Sequence, residues 1–574
     1  MQLLVALHRA GGAVVSKDDL LQSCWEGRVV GEDAINRVVS RLRGVAKEAG
    51  GQFRIETITK VGYRLISSNG EVLDTAMGQA ASSQMPFSSN RPIAIAVAGF
   101  FLLVMAAGAW WWHRPAPAAA HSIMVRLAEF RPLSADVPAA MPESIKAELF
   151  AAFNAEGVVG VSTGPAPTSA TAPAYKLDGT VYRIGDTVRV VSRLTNERSG
   201  MVLWSDSVDY APDQLPKAPV KIAADVGTVV RCGLTGAATY HKPLPDPVLS
   251  NYMHYCQEYW SYGGTSTLRF AQRVVAAVPD FSWGWSAVGN GFMQASKSER
   301  DKHRFEAMHA AGLAAEDRAL ALDRTNSEAL GHKAYFIDPH DWVAQEALFK
   351  KAIAAQPLDC GCEHYGYGLK LESVGRLGAA IEQFRAATDM LALWPDSQLA
   401  LAGALVAAGR SEDAGSKFKA AINLSKDANL YQQIAVSEGT ETGDYAAAIA
   451  ALRNPLFEGE KESRPALLSA YEALASGAPQ ARKKAIQDLL ALPEVKQNGT
   501  VATLLAALGA NHAALRIAAK RPWLFWHRSM RGVLNEPGFP AVTKQIGLMT
   551  YWRTTRTKPD VCLTTSAPLF CRMI

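Results

Sequence analysis

Apolar and polar positions change rhythm several times along the chain. From about Glu32 to Ala49 the apolar residues are Ile35, Val38, Val39, Leu42, Val45 and Ala46, spaced by three and four, which predicts an amphipathic helix. Phe53 to Ile58 alternates, Lys60-Val61-Gly62 turns and Tyr63 to Ile66 returns, the pattern of a hairpin. Ahead of these, Gln2 to Arg9 reads as a short helix stopped by Gly11-Gly12. Ser16, with Lys17-Asp18-Asp19 behind it, is an N-cap signal opening a helix through Leu20, Leu21 and Cys24-Trp25. The rhythm is then lost altogether: Ile93 to Trp112 carries no charge and no polar face. At ~1.5 Å per residue such a helix spans the ~30 Å core of a bilayer, and Trp110, Trp111 and Trp112 suit the headgroup layer. The pattern predicts one transmembrane helix.

Beyond it a Pro/Ala spacer leads to a strand at Ile123 to Phe130. A helix at Pro142 to Asn154 carries Ile145, Leu149, Phe150 and Phe153 on one face, and Val158 to Ser162 is a second strand. Tyr175 to Arg183, Thr187 to Thr195 and Met201 to Ser207 read as a β-meander turning at Gly185-Asp186 and at Asn196 to Gly200. A helix from Ala218 to Cys232 completes a small α/β unit. From Pro247 onward the pattern is all-helical. Gly375, Ala380, Phe384 and Ala387 recur as Gly409, Ala414, Phe418 and Ala421, and again as Gly443, Ala448 and Leu452, each time 34 residues on. Phe349, Ala352 and Pro357 fit an earlier copy with a one-residue offset, and Ala319 to Asp323 a more degenerate one. That period, with small residues where two helices cross, is the tetratricopeptide pattern, which stacks into a solenoid with a concave binding surface.

Composition changes this picture little. The 574 residues are 48% hydrophobic and 20% charged, ordinary for three or four globular domains, and a net charge of +5 does not by itself point to nucleic acid. Cysteine usage says more. Only Cys24 precedes the apolar run; the six that follow are compatible with disulfides in an oxidising compartment, with Cys232 to Cys256 and Cys562 to Cys571 as candidate pairs. Candidate chemistry is thin. Gly160-Val161-Ser162-Thr163-Gly164 has the G-x-S-x-G spacing, but Pro165-Ala166-Pro167 follows where a nucleophile elbow must enter a helix. Cys360-Gly361-Cys362-Glu363-His364 has metal-ligand types without the second pair a zinc site takes, leaving a disulfide or plain packing beside it. Tyr255, Trp260, Trp283, Trp285, Trp523 and Trp526 read as helix-packing aromatics. No H-E-x-x-H, Walker A or Rossmann fingerprint is present. The expectation is a non-enzyme without cofactor or metal.

The outer face of the Glu32 to Ala49 helix carries Asn36, Arg37, Ser40, Arg41 and Lys47, with Arg43 at its edge. Such a face is either simply solvated or reads DNA, where Arg takes guanine edges and Asn takes adenine. Arg54, Lys60 and Arg64 on the hairpin would meet phosphate or the minor groove. Order and spacing weigh in. VVSKDDLLQSCW, EDAINRVVSRLR and ETITKVGYRL together resemble the winged helix of the OmpR/PhoB-type output domain, although Lys60 replaces the first wing glycine and Leu65 the final Phe. The resemblance implies that Glu32 to Ala49 is the recognition helix. Asn36, Arg37, Ser40 and Arg41 would then face the bases, with Arg43 on phosphate, and Gln22 to Gly31 would include the loop used towards RNA polymerase. The family's first small sheet and longer first helix are absent, so an in-frame extension of roughly 25–35 residues is expected upstream. A winged helix, a linker, one span and an outer domain is the layout of ToxR/CadC-like one-component regulators. The α/β unit resembles the TolB N-terminal domain, and Leu534 to Cys562 resembles the tail that ends many repeat-bearing regulators, expected to cap the last helices.

The expectation is therefore a multidomain chain. It comprises a winged helix at 1–67, a linker at 68–92, a transmembrane helix at 93–112, a spacer at 113–121, an α/β domain at 122–245, tetratricopeptide-like repeats at 246–533 and a cap at 534–574. It implies a single-pass inner-membrane transcriptional regulator with its N-terminus cytoplasmic and its C-terminus periplasmic. The partners are double-stranded DNA, RNA polymerase, a periplasmic protein or small-molecule signal, and a second copy in a homodimer. The rival is a membrane-anchored periplasmic scaffold with a degenerate winged helix.

Overall fold

The computed structural model describes residues 7, 10, 14–16, 39, 42, 53–58, 62–67, 123–156, 159–164, 175–261, 264–355, 361–425, 427, 429–457 and 459–574. Two compact units divide the chain, Met1–Arg114 and Pro115–Ile574.

In the first unit the strands β1 (Val15–Ser16), β2 (Phe53–Ile58) and β3 (Gly62–Ser67) form an antiparallel sheet in the order β1-β3-β2. The hairpin stands where alternation placed it. The two residues of β1 are too few to alternate, and the sequence reading missed them. Leu7, Val39 and Leu42 are helical and buried. The rest of the three helices expected here lies outside the described residues.

The second unit begins with a five-stranded sheet. It contains β4 (Met124–Pro132), β5 (Gly160–Ser162), β6 (Tyr175–Ile184), β7 (Thr187–Asn196) and β8 (Val202–Tyr210), in the order β5-β4-β6-β7-β8. β4 runs parallel to both β5 and β6, and β6, β7 and β8 form the antiparallel meander. Along β7, Val188, Val190, Ser192 and Leu194 are buried while Thr187, Arg189, Val191 and Arg193 are half-exposed, the period-two signature of a sheet covered on one face. The cover is α1 (Met141–Glu156) and α2 (Ala218–Ala238), whose Ile145, Leu149, Phe153, Ile222, Val226 and Val230 share one core with Val125, Leu177 and Leu203. Phe150 departs from its expected face and is 44% exposed. The buried row runs Met141, Ile145, Leu149, Phe153, and Phe150 sits about 100° round from Leu149.

The helices continue as α3 (Asp246–Trp260), α4 (Thr265–Ala277), α5 (Ser282–Ser296), α6 (Lys302–Leu322), α7 (Ser327–Phe336), α8 (Trp342–Ala354), α9 (Cys362–Ser373) and α10 (Leu377–Met390). They run on as α11 (Pro395–Ala407), α12 (Ser411–Leu424), α13 (Leu430–Thr442), α14 (Tyr445–Arg453), α15 (Arg464–Ser476), α16 (Pro479–Leu490), α17 (Gly499–Ala507) and α18 (Asn511–Ala518). The core of the sheet extends without a break through α3, α4 and α5 as far as Ala315. A disulfide, Cys232–Cys256, ties α2 to α3 inside it.

Among the described residues no helix is long and apolar enough to cross a membrane. The two longest show why: α2 carries Lys221, Asp225 and Arg231, and α6 carries Lys302, Arg304, Glu306, Glu316, Asp317 and Arg318. Each has 21 residues, enough to span, but places charge where a bilayer core would have to accept it. The expected span at 93–112 lies outside the described residues, as do the linker at 68–92 and the spacer at 113–121. The transmembrane helix is thus corrected: nothing in the described structure supports it, nor the single-pass inner-membrane localisation with a periplasmic C-terminus that rested on it.

The repeats are legible in the backbone. Gly375, Gly409, Gly443 and Gly477 take φ of 81°, 78°, 74° and 68°, each at the turn between the two helices of a pair. After α9, Gly375 N–H donates to Glu372 and Arg376 N–H to Leu371. After α11, Gly409 donates to Val406 and Arg410 to Leu405. This is the Schellman end of a helix, which needs a left-handed residue where glycine carries no Cβ penalty. Ala380, Phe384 and Ala387 of α10 are fully buried, as are Ala448 and Leu452 of α14.

The last segments do more than cap α17 and α18. Two 3₁₀ stretches, Pro522–Trp526 and Arg528–Asn535, lead to α19 (Phe539–Gln545) and α20 (Leu548–Thr555). These return to the first repeats. The Trp526 and Trp552 indoles donate to the carbonyls of Ser373 (3.1 Å) and Val374 (2.9 Å), and Trp342 donates to Ile546 (2.7 Å). The array is closed by contacts between positions about 150 to 200 residues apart.

Candidate functional site

The hairpin of the first unit is set by its register. Ile55 faces Leu65 and Glu56 faces Arg64 across the strands. Ile55, Tyr63 and Leu65 are buried, leaving Glu56 and Arg64 towards solvent. The Arg64 guanidinium donates to Glu56 at 2.7 Å, both side chains 40% exposed. A cross-strand pair of this exposure is worth ~0–1 kcal/mol, so phosphate could draw Arg64 away at little cost. Arg54 lies on β2 opposite Ile66. Asn36, Arg37, Ser40, Arg41, Arg43, Lys47 and Lys60 lie outside the described residues. What the structure does fix around them is the buried side of the helix, through Val39 and Leu42 three residues apart.

In the second unit the ionisable groups gather where the array closes. Glu346 of α8 accepts from Tyr367 Oη (2.7 Å), Tyr551 Oη (2.8 Å), Arg376 Nη1 (3.0 Å) and Lys350 Nζ (2.8 Å). Burial would raise its carboxyl, but these donors outweigh it and hold it below the usual range. A second cluster joins α9, α13 and the Arg528 stretch. Glu441 accepts from the backbone N–H groups of Arg528 (2.6 Å) and Ser529 (3.2 Å), with His527 Nδ1 at 3.7 Å. Burial works against the His527 imidazolium, yet Glu441, Glu438 and Glu372 together lift it to about 9. Glu372 is itself raised to about 7, by burial first and by Glu438. Apart from the i,i+4 pair of Glu346 and Lys350 on α8, neither cluster was visible in the sequence, because the remaining contacts join different helices.

Ser286, His332 and Glu316 meet in the groove between α5, α6 and α7 and have the residue types of a hydrolytic triad. Their geometry is wrong for it. Ser286 Oγ (3.1 Å) and Glu316 Oε1 (3.2 Å) both address Nδ1 of the ring, and Asn290 holds Nε2 at 3.1 Å. A nucleophile and its orienting acid must sit on opposite nitrogens. Burial raises the Glu316 carboxyl to about 7. Ser162, in the G-x-S-x-G run, accepts from Gly164 N–H at 3.2 Å in a local turn at the end of β5. Cys362 is disulfide-bonded, His364 faces Gln383 at 2.8 Å, and Cys360 lies outside the described residues. Among the described residues no cluster has a metal-binding arrangement. Cys562 and Cys571 are bonded to each other.

One open cleft lies between α12, α13 and α14. It measures about 410 Å³ and is lined by Phe418, Ile422, Tyr431, Ile434 and Ala435, with Lys419 and Asp444 among its polar residues. Phe418 occupies the repeat position of the fully buried Phe384, but α13 does not close over it and it stays half-exposed.

Residues 1–65 match the family model described as "Transcriptional regulatory protein, C terminal". The first unit therefore carries a transcriptional-regulator DNA-binding domain, and the second carries tetratricopeptide-like repeats. Among solved structures, a thermophilic tetratricopeptide protein of Thermus thermophilus is 17% identical, covers 34% of this chain and 95% of its own, and has a TM-score of 0.26. The MamA protein is 17% identical over 32% of this chain and 93% of its own, at 0.21. The P58(IPK) tetratricopeptide domain is 13% identical over 57% and 96%, at 0.17. No curated protein matches the chain.

Proposed function

We propose that the chain is a one-component transcriptional regulator without enzymatic activity, in which the α/β and repeat region governs DNA binding by residues 1–65. The observation that carries this is the family match of those residues, which include a sheet ordered β1-β3-β2 and the buried, helical Val39 and Leu42. In this reading Asn36, Arg37, Ser40 and Arg41 meet base edges, Arg43 and Lys47 meet phosphate, and Arg54, Lys60 and Arg64 form the wing contacts. RNA polymerase meets Gln22 to Gly31. A single module of this size buries only a modest DNA surface, so two copies on tandem half-sites are the simplest assembly.

A gel shift of the full chain on the DNA flanking its own gene tests the reading. Affinity should fall steeply as salt rises, because phosphate contacts release counterions. Arg41→Ala should weaken specific binding by about 1–3 kcal/mol and relax the sequence preference. Affinity that ignores both salt and Arg41 would sink the assignment. The second reading, a scaffold with a degenerate DNA-binding domain, draws on the Glu56–Arg64 pair, which neutralises one cation of the hairpin. It expects no shift at any salt.

A further inference from the structure

The open cleft between α12, α13 and α14 lies where the repeat pattern leaves side chains out. At the 34-residue spacing, Gly415 of α12 stands where α10 has Ile381 and α14 has Ile449. Ile381 is buried and Ile449 packs against the core, whereas a Cβ at Gly415 would meet no neighbouring atom within 4 Å. On the facing helix α13, Ala435 holds the position of the buried Leu401 of α11. Two aliphatic side chains that would close this interface are therefore missing. The space, about 410 Å³, falls within the roughly 300–1,000 Å³ of small-molecule sites. Its apolar walls are Phe418, Ile422, Tyr431 and Ile434.

The charges at the cleft depart from the pattern as well. One repeat on, Arg453 of α14 pairs with Glu472 of α15 at 2.7 Å. The same two positions here are Lys419 of α12 and Glu438 of α13, and both line the cleft, yet they make no ion pair with each other. Lys419 is exposed and pairs with no acid among the described residues. Glu438 accepts only a long bond from Ser437 Oγ (3.4 Å) at Oε1, and its Oε2 is buried without a partner among the described residues. Burial holds its carboxyl above the usual range, with His527 opposing and Glu441 adding to the rise. A cationic and an acidic side chain thus stand on facing helices across an apolar cleft, and neither serves the other. A molecule with an apolar body and a single charge would answer one of them and leave the second as it is. A zwitterion answers both.

We propose that this cleft binds a small zwitterion with an apolar body, of the class of the apolar and aromatic amino acids. The ligand carboxylate meets Lys419, its ammonium meets Glu438, and its side chain fills the space left by Gly415 and Ala435. The ligand thereby links two positions that Arg453 and Glu472 link directly in the next repeat. The inference is independent of what residues 1–65 bind.

Calorimetric titration of the full chain with L-leucine and with L-phenylalanine tests it. At least one should bind saturably, one molecule per chain. For phenylalanine, the analogues 3-phenylpropionate and phenethylamine, which each keep one of its two charges, should bind at least about tenfold more weakly. Gly415→Ile restores the residue of the neighbouring repeats and should abolish binding while the melting temperature holds or rises, since glycine inside a helix is itself destabilising. Lys419→Met, at an exposed position, should weaken binding about tenfold or more without moving the melting temperature. Absence of binding by both amino acids would overturn the proposal. So would native affinity in Gly415→Ile, which would put the ligand elsewhere, and so would equal affinity for the one-charge analogues, which would make the cleft an apolar groove only. If Gly415→Ile fails to fold, Lys419→Met decides, and unchanged affinity in it overturns the proposal.

Discussion

The five-stranded sheet and the helical repeats both cover an apolar face, and they do it on different length scales. In the sheet, β4 must find β6 some fifty residues on, across α1 and β5, before Val125 and Leu177 share a core. In the repeats, each pair covers itself and its neighbour, and a left-handed glycine restarts the pattern every 34 residues. A purely local array of that kind has two independent ends. This one does not, because Trp526, Trp552 and Tyr551 return to α8 and α9. The repeats thus acquire the long-range dependence that the sheet has by construction, through a shared apolar core and a few polar contacts rather than through strand pairing.

The sharpest way to break that comparison is at Glu346. Glu346→Ala leaves the Tyr367 hydroxyl without its acceptor and leaves Arg376 and Tyr551 with only each other (3.1 Å), and losing the acceptor of such a cluster costs about 1–3 kcal/mol. If closure makes the repeats behave as one body, the variant should melt in two steps, repeats first and sheet second, in calorimetry. A single transition lowered as a whole would show that the sheet and array are one cooperative unit.

A smaller effect is expected from pH. The folded pKa values of His527 and Glu372 are both raised, to about 9 and about 7. Each therefore adds stability that is full below its unfolded value, near 6.5 for histidine and 4.5 for glutamate. That stability is lost as pH rises through the folded value. Closure should loosen progressively from about pH 5 to about pH 9, and His527→Gln should flatten the upper part of the melting-temperature profile. A profile that rises with pH over this range in the native chain would contradict the assignment. The smallest effect belongs to the open face of the sheet. Arg189 pairs with Asp209 at 2.6 Å in solvent, and Arg189→Ala should leave the urea midpoint where it was.

These contrasts also explain what could be read ahead of the structure. Alternation in β6 and β7 and the 34-residue spacing of Gly375, Gly409 and Gly443 are local signals, and both led to the right elements. Gly477 continues the series in the backbone but is hard to see in the sequence, because Arg482 stands where Ala380, Ala414 and Ala448 stand in the earlier copies. The sheet order could not be read, since nothing in β4 says that it lies between β5 and β6. Glu346 with Tyr551, and His527 with Glu441, are pairs whose members are 205 and 86 residues apart, with no periodicity to join them. The apolar run at 93–112 was the strongest single signal in the sequence, yet the assignment it prompted finds no support among the described helices. In the first unit the hairpin was legible and its Glu56–Arg64 pair was not, because register is a property of two strands together.

Closure also sets a count. An open stack of repeats gains or loses a copy with little consequence, and its length drifts freely. Here Trp342, Ser373 and Val374 must meet Ile546, Trp526 and Trp552 at fixed positions, as the last stones of an arch meet the first. Adding or deleting a single 34-residue unit between them would carry those groups past one another. The number of repeats in this chain is therefore held by geometry, where an unclosed array would leave it to chance.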